Sequence, residues 1–135
     1  MAQRLKICIV GGCGVGKSSL VRRYFNNEFN TCEDATIGAA RSTKSLRVGD
    51  QQVEFELWDT AGQEAYRSML PMYLRGSDAI LMVYDVSHSG SYDEIKKHMS
   101  QIVFMKSKQQ VKENVVLAIA ANKVGISGVA EGEVL

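Results

Sequence analysis

The spacing of apolar positions changes period several times along the chain, and each change marks an element. Leu5-Lys6-Ile7-Cys8-Ile9-Val10 is short, apolar and rich in branched residues, which predicts a strand buried in a sheet. Beyond a glycine-rich gap, Leu20, Val21, Tyr24 and Phe25 recur at helical spacing, so residues 17 to about 26 form a helix with one face on that sheet. Residues 26–40 have little periodicity and are expected to be a loop. Residues 45–48 and 53–59 flank Gly49-Asp50 as a hairpin, the second run alternating Val53, Phe55 and Leu57 with Glu54 and Glu56. Tyr66, Met69, Leu70, Tyr73 and Leu74 keep helical spacing, but Pro71 divides them into two short turns. Residues 78–85 contain the run Ala79-Ile80-Leu81-Met82-Val83-Tyr84, which suits a central parallel strand and predicts the most buried one. Tyr92, Ile95, Met99 and Ile102 mark a long helix to about residue 108, and residues 115–121 return as an apolar strand before the pattern fades.

The order β-α-β-β-α-β-α-β predicts an α/β fold: a mostly parallel sheet with one antiparallel edge strand, and ligand chemistry at the carboxyl ends of the parallel strands. The gap between the first strand and helix is Gly11-Gly12-Cys13-Gly14-Val15-Gly16-Lys17-Ser18, a complete G-x-x-x-x-G-K-[ST] phosphate loop in a strand–loop–helix setting. Gly11, Gly14 and Gly16 let the backbone turn tightly and, with Val15, aim N–H groups at one anion, and the helix start at Lys17, Ser18 and Ser19 adds its positive dipole end. Lys17 is placed to reach the outer phosphates as a point charge, and the Ser18 hydroxyl can ligate Mg²⁺. After the hairpin comes Asp59-Thr60-Ala61-Gly62-Gln63-Glu64. There Asp59 can hold the Mg²⁺ shell through water, the Gly62 N–H can meet a γ-phosphate, and Gln63 can orient an attacking water.

Composition narrows the setting without changing this picture. The chain has 135 residues, 45% of them hydrophobic and 23% charged, which fits a single globular domain. A net charge of +1 gives no electrostatic case for nucleic acid, and the basic stretch Lys96, Lys97, Lys106, Lys108 and Lys112 reads as a solvated helix face. Three cysteines without C-x-x-C spacing argue against a disulfide framework and a zinc site, hence for a reducing, cytoplasmic setting. No apolar run approaches the ~20 residues needed to span a bilayer. His88 and His98 are expected at the surface, in a loop and on a polar helix face.

With Thr36-Ile37-Gly38 before the hairpin and Asn122-Lys123 after the last strand, the chain resembles the Ras superfamily of small GTPases over nearly its whole length. Trp58 to Glu64, Tyr66-Arg67-Ser68, the Pro71-Met72-Tyr73 run and Val83-Tyr84-Asp85-Val86 look like its Rab branch, and Ala35-Thr36-Ile37-Gly38-Ala39-Ala40 looks most like the early-endosomal members. The resemblance implies a Ras-like G domain of the P-loop NTPase class. Its phosphate loop would span 11–18, its switch I about 29–40, its switch II about 59–76 and its base loop 122–125. It implies GTP or GDP bound with Mg²⁺, slow GTP hydrolysis, and a role in vesicle trafficking. Thr36 would close over Mg²⁺ when a γ-phosphate is present, Phe29 would pack on guanine, Lys123 would lie along the base, and Asn122 would tie the base loop to the phosphate loop. Exchange factors, GTPase-activating proteins and effectors would be its partners, with peripheral association with endosomal membranes through them. Trp58, Tyr73 and Arg41 would occupy positions where Rab proteins commonly present three aromatics to effectors; the guanidinium of Arg41 can stack on Trp58 but does not restore an apolar platform.

The chain also departs from that family. Where small GTPases usually carry Asn-Lys-x-Asp, it reads Asn122-Lys123-Val124-Gly125. It stops at Leu135 before the family's last strand and helix, and without a cysteine pair or C-a-a-X box it is expected to carry no lipid anchor of its own. These departures keep a second expectation open: a pseudo-GTPase or fragment that binds partners with relaxed or no nucleotide dependence.

Overall fold

A computed structural model describes residues 3–26, 39–60 and 68–123. Its elements are β1 (Gln3–Gly11), α1 (Lys17–Asn26), β2 (Ala39–Val48), β3 (Gln51–Thr60), α2 (Leu70–Leu74), β4 (Ala79–Asp85), α3 (Ser89–Ser107) and β5 (Val116–Asn122). The sheet runs β2-β3-β1-β4-β5, parallel throughout except for the antiparallel β2–β3 pair. This is the mostly parallel α/β sheet that the apolar runs predict.

Alternation along β1 divides the core between the two faces of the sheet. Cys8 and Val10 join Ile80, Met82, Leu70, Leu74, Ile95, Ile102 and Met105 on the α2/α3 side. Ile9 joins Val15 and Val83 on the α1 side, with Leu20, Val21, Leu57, Leu81 and Ala120 packed around them. Burial pushes the Cys8 thiol up to about 12, so it behaves as a small apolar side chain. β1 holds the middle of the sheet and buries the consecutive residues Cys8, Ile9, Val10 and Gly11, whereas β4 buries Ile80, Met82 and Val83. The two strands therefore share the deepest burial, which the apolar run had assigned to β4 alone.

Two further sequence expectations are corrected, the start of β2 and the place of His98. β2 begins at Ala39 rather than near Ser45, because it pairs with β3 in unbroken register from Ala39 opposite Thr60 to Val48 opposite Gln51. His98 is buried, not on a polar face: it falls on the same helical stripe as Ser91, Ile95, Ile102 and Met105, which α3 turns toward the sheet. His88 is exposed and caps α3, its Nδ1 accepting from the Gly90 N–H at 3.1 Å. β5 is apolar as expected but lies at an edge, leaving Val116, Leu117 and Ile119 exposed. Pro71 occupies the first turn of α2, which starts at Leu70 as the proline predicts, and there its missing N–H removes no intrahelical bond. Lys96 and Lys97 are solvated and pair with Asp93 and Glu94 one turn back, as a surface face would. Among the described residues no helix is long and apolar enough to cross a membrane.

Candidate functional site

The site forms where β1, β3, β4 and β5 all end, and glycine is what lets their ends approach. A Cβ on Gly11 would stand 2.3 Å from the Val83 carbonyl oxygen, so β1 can pass this close to β4 only without a side chain there. The chain then turns through Gly14 at φ +77° and Gly16 at φ +97°, both in the left-handed region that favours glycine. At Gly16 a Cβ would lie 2.4 Å from Asn122 Nδ2, which donates to the Val15 carbonyl at 2.8 Å. The missing side chain of Gly16 therefore admits the residue that joins the end of β5 to the loop. Gly16→Ala should combine backbone strain with this collision and lower the melting temperature by several degrees. Differential scanning fluorimetry of the two proteins checks this, since about 1 kcal/mol shifts a small domain by roughly 4–8 °C.

Lys17 opens α1, whose first hydrogen bond runs from the Leu20 N–H to the Gly16 carbonyl at 3.0 Å. The amides of a first helical turn point along the helix axis, here into the concavity of the loop. Lys17 is only 6% exposed, and its ammonium donates to the Gly11 and Gly12 carbonyls at 3.0 and 2.9 Å. Burial lowers its pKa from the ordinary lysine value, and the charge of Asp59 opposes that shift.

Directly beside it lies Asp59, buried at the end of β3 opposite Ile9 of β1. The neighbouring Thr60 hydroxyl donates to the Ile9 carbonyl at 2.7 Å and fixes this strand end. Ser18 Oγ donates to Asp59 Oδ2 across the gap between α1 and β3. One hydroxyl and one carboxylate side by side are hard oxygen donors suited to Mg²⁺, which takes few protein ligands and completes its shell with water and phosphate oxygens. Among the described residues no cluster of three or more His, Cys, Asp or Glu forms an all-protein metal cage.

On the far side, Lys123 takes φ +66° and turns its Nζ to the Gly14 carbonyl at 2.6 Å and to Asp85 Oδ2 at 3.2 Å. Burial pushes the Asp85 carboxyl up, but hydrogen bonds from Ser87 and Lys123 outweigh it and hold the group below the usual carboxylate range. Asp85 has no role in the sequence reading. Its signal there is an acid closing a parallel strand, the same signal that singled out Asp59.

The structure thus brings Gly11, Gly14, Val15, Gly16, Lys17, Ser18, Asp59, Asn122 and Lys123 to one end of the sheet, with Ser19 in the same helical turn as Lys17. Phe29, Thr36, Gly62, Gln63 and Gly125 lie outside the described residues. Cys13 sits exposed in the loop as a free thiol. Away from this site, Trp58 packs against Tyr73 with ring centroids 5.7 Å apart, but Arg41 does not stack on it. Arg41 pairs with Glu56 at 3.3 Å, and the cation over the indole is Lys6, 5.2 Å from its centroid.

Comparison with known proteins accords with this arrangement. The sequence model of the Ras family matches residues 6–131. The chain is 41% identical over 129 residues to the Ras-related protein Rab-31 of Rattus norvegicus, covering 96% of this chain and 64% of that protein. It is 42% identical over 118 residues to the Ras-related protein Rab5A of Oryza sativa subsp. japonica, covering 87% and 56%, and 40% identical over 121 residues to the Ras-related protein RABF2a of Arabidopsis thaliana, covering 90% and 58%. The chain therefore spans less than two thirds of the length of these relatives.

Proposed function

The chain belongs to the Ras family and is of the Rab type, and from that membership we propose that it is a switch that binds GTP and GDP with Mg²⁺ and hydrolyses GTP slowly. The observation that carries this reading is the state of Lys17. A buried ammonium held by two carbonyls of its own loop is costly to desolvate, and a phosphate chain seated in the loop supplies the opposite charge that offsets this cost.

In this reading the loop amides and Lys17 hold the outer phosphates, while Ser18, Asp59 through water and, with a γ-phosphate present, Thr36 hold Mg²⁺. The bound Mg²⁺ neutralises charge on the β- and γ-phosphate oxygens. Gln63 positions the attacking water and the Gly62 N–H meets the γ-phosphate. Loss of that phosphate releases the segments around Thr36 and Gly62, which changes the surface offered to partners. Phe29 and Lys123 flank the base, and Asn122 holds the base loop to Val15. Exchange factors, GTPase-activating proteins and effectors act on this cycle, and an arginine supplied by a partner adds about 10³–10⁵ in rate. The Rab relatives support a role in vesicle trafficking on endosomal membranes, reached through partners.

Gln63→Leu should leave nucleotide affinity unchanged and slow single-turnover hydrolysis, because Gln63 acts on the water and not on the phosphates. Equal rates for the two proteins would show that another group positions the water. Gly125 favours a second reading, a binding module with relaxed base specificity or no nucleotide dependence. Mass spectrometry of nucleotide released from freshly purified protein separates a loaded switch from an empty scaffold: stoichiometric bound nucleotide supports the switch, with its base composition showing how far guanine is selected, and an empty protein supports a nucleotide-independent module.

A further inference from the structure

Lys123 is held more firmly than an ordinary surface lysine, and part of the hold comes from the end of β4. Its φ of +66° lies in the left-handed region that residues with a side chain rarely adopt, so its contacts must keep it there. Its Nζ donates to the Gly14 carbonyl at 2.6 Å and pairs with Asp85 Oδ2 at 3.2 Å. The carboxylate is fixed independently of the lysine. Asp85 Oδ1 accepts from the Ser87 N–H at 2.9 Å and from the Ser87 hydroxyl at 2.5 Å. The Asp85 backbone is anchored as well, its N–H donating to Ser91 Oγ at 2.9 Å and its carbonyl accepting from the His88 N–H at 3.0 Å. Asp85 stands opposite Asn122 in the β4–β5 register, and the Val86 N–H donates to the Asn122 carbonyl at 3.1 Å. The end of β4 therefore grips Asn122 through the backbone and Lys123 through a side chain.

We infer that Asp85 is a positioning residue for the nucleotide: it fixes Lys123 along the base and thereby slows nucleotide release. The inference rests on the switch reading, in which Lys123 flanks the base, and adds the residue that holds it there. A lysine stem has many rotamers, and ordering one when the ligand binds lowers affinity. A stem already held by a fixed carboxylate has lost that freedom beforehand. Solvation acts in the same direction. The Lys123 side chain is 32% exposed and that of Asp85 13%. A base laid over the lysine strips water from the ammonium, and Asp85 supplies a counter-charge that stays in place when the water leaves. The Gly14 carbonyl alone offers a dipole but no charge. The phosphates are held elsewhere in the same reading, by Lys17 and the loop amides, so the contribution of Asp85 is confined to ligands that carry a base.

Release of N-methylanthraniloyl-GDP into excess unlabelled GDP, followed by fluorescence with Mg²⁺ present, reads this role. Asp85→Ala should release the nucleotide roughly 3–10-fold faster than wild type, the effect of one immobilised lysine side chain. On a Lys123→Ala background it should add no further acceleration, because Asp85 acts through that lysine. Inorganic tripolyphosphate with Mg²⁺, titrated calorimetrically, should bind wild type and Asp85→Ala with equal affinity, which a general loosening of the fold would not permit. Asp85→Asn keeps the shape and an acceptor for Ser87 but lacks the charge, and its rate should fall between the two. A wild-type rate for Asp85→Ala overturns the assignment, as does full acceleration on the Lys123→Ala background or a matching loss of tripolyphosphate affinity. If Asp85→Ala fails to fold, Asp85→Asn decides alone, and release no faster than wild type overturns the assignment. A wild-type chain that retains no GDP overturns the switch reading and this assignment together, which distinguishes that result from a failure of Asp85 alone.

Discussion

Lys17→Ala is expected to abolish measurable nucleotide binding while leaving the nucleotide-free fold intact. The ammonium is the only charged group that Gly11 to Ser18 bring to the loop, where the donors besides it are backbone amides, the Ser18 hydroxyl and the Cys13 thiol. Charge-assisted hydrogen bonds contribute about 1.5–3 kcal/mol each, so losing contacts to two phosphates weakens binding by roughly 10²–10⁴-fold. Without ligand the balance is different. Burial lowers the Lys17 pKa below its unfolded value, so the charged form is less favourable in the folded than in the unfolded chain. That penalty is fully present below the folded pKa and disappears as pH rises from there toward the ordinary lysine value. Removing the ammonium therefore relieves a desolvation penalty at neutral pH even as it leaves the Gly11 and Gly12 carbonyls without this donor. The nucleotide-free variant should melt close to wild type. Excess GTP with Mg²⁺ should raise the wild-type melting temperature, a hundredfold excess over Kd contributing about 2.7 kcal/mol, and should not move the variant. Equal GTP-induced shifts in the two proteins would mean that phosphate is not held through Lys17.

The parts of this site that were legible in the sequence are those where local pattern and chemistry coincide. The glycine spacing from Gly11 to Gly16 requires a turn that only glycine makes, the apolar run ending at Val10 requires a buried strand before it, and helical periodicity resumes right after it. What the pattern did not reveal depends on which neighbour lies across a strand. The amino-terminal half of β2 is polar, and by hydrophobicity alone residues 41–44 resemble a loop. They are a strand because β3 offers them an unbroken ladder of hydrogen bonds. His98 differs from its apolar stripe-mates in residue type but not in phase, so identity suggested the surface where position on α3 decided burial. Arg41 and Trp58 are cross-strand partners, which invites stacking. Yet Glu56, two residues before Trp58 and thus on its face of β3, draws the guanidinium away. The Lys123–Asp85 pair joins the ends of two adjacent strands and has no signature in either segment read separately.

Guanine selectivity is the second large effect, and it turns on Gly125. In the proposed switch the base loop would start at Asn122 and Lys123: Asn122 is tied to the Val15 carbonyl, and Lys123 to the Gly14 carbonyl and Asp85. Lys123 would there lie along the base of a nucleotide whose phosphates the phosphate loop holds. Two positions later the sequence has glycine, where the Ras superfamily usually carries the aspartate that accepts hydrogen bonds from the guanine N1 and N2 edge. Each such bond to a carboxylate is worth about 1.5–3 kcal/mol, so their joint absence removes roughly 10²–10⁴-fold of preference for guanine. In the proposed switch the phosphates and Mg²⁺ would be held by other residues and would continue to supply affinity to any purine triphosphate. The wild-type chain should therefore bind GTP and ATP with comparable affinities, and Gly125→Asp should tighten GTP alone by that factor. Competition titrations of a fluorescent GTP analogue with unlabelled GTP and ATP, run on both proteins, measure the two ratios. A strong preference for GTP in the wild-type chain that the aspartate leaves unchanged would place base recognition in another group.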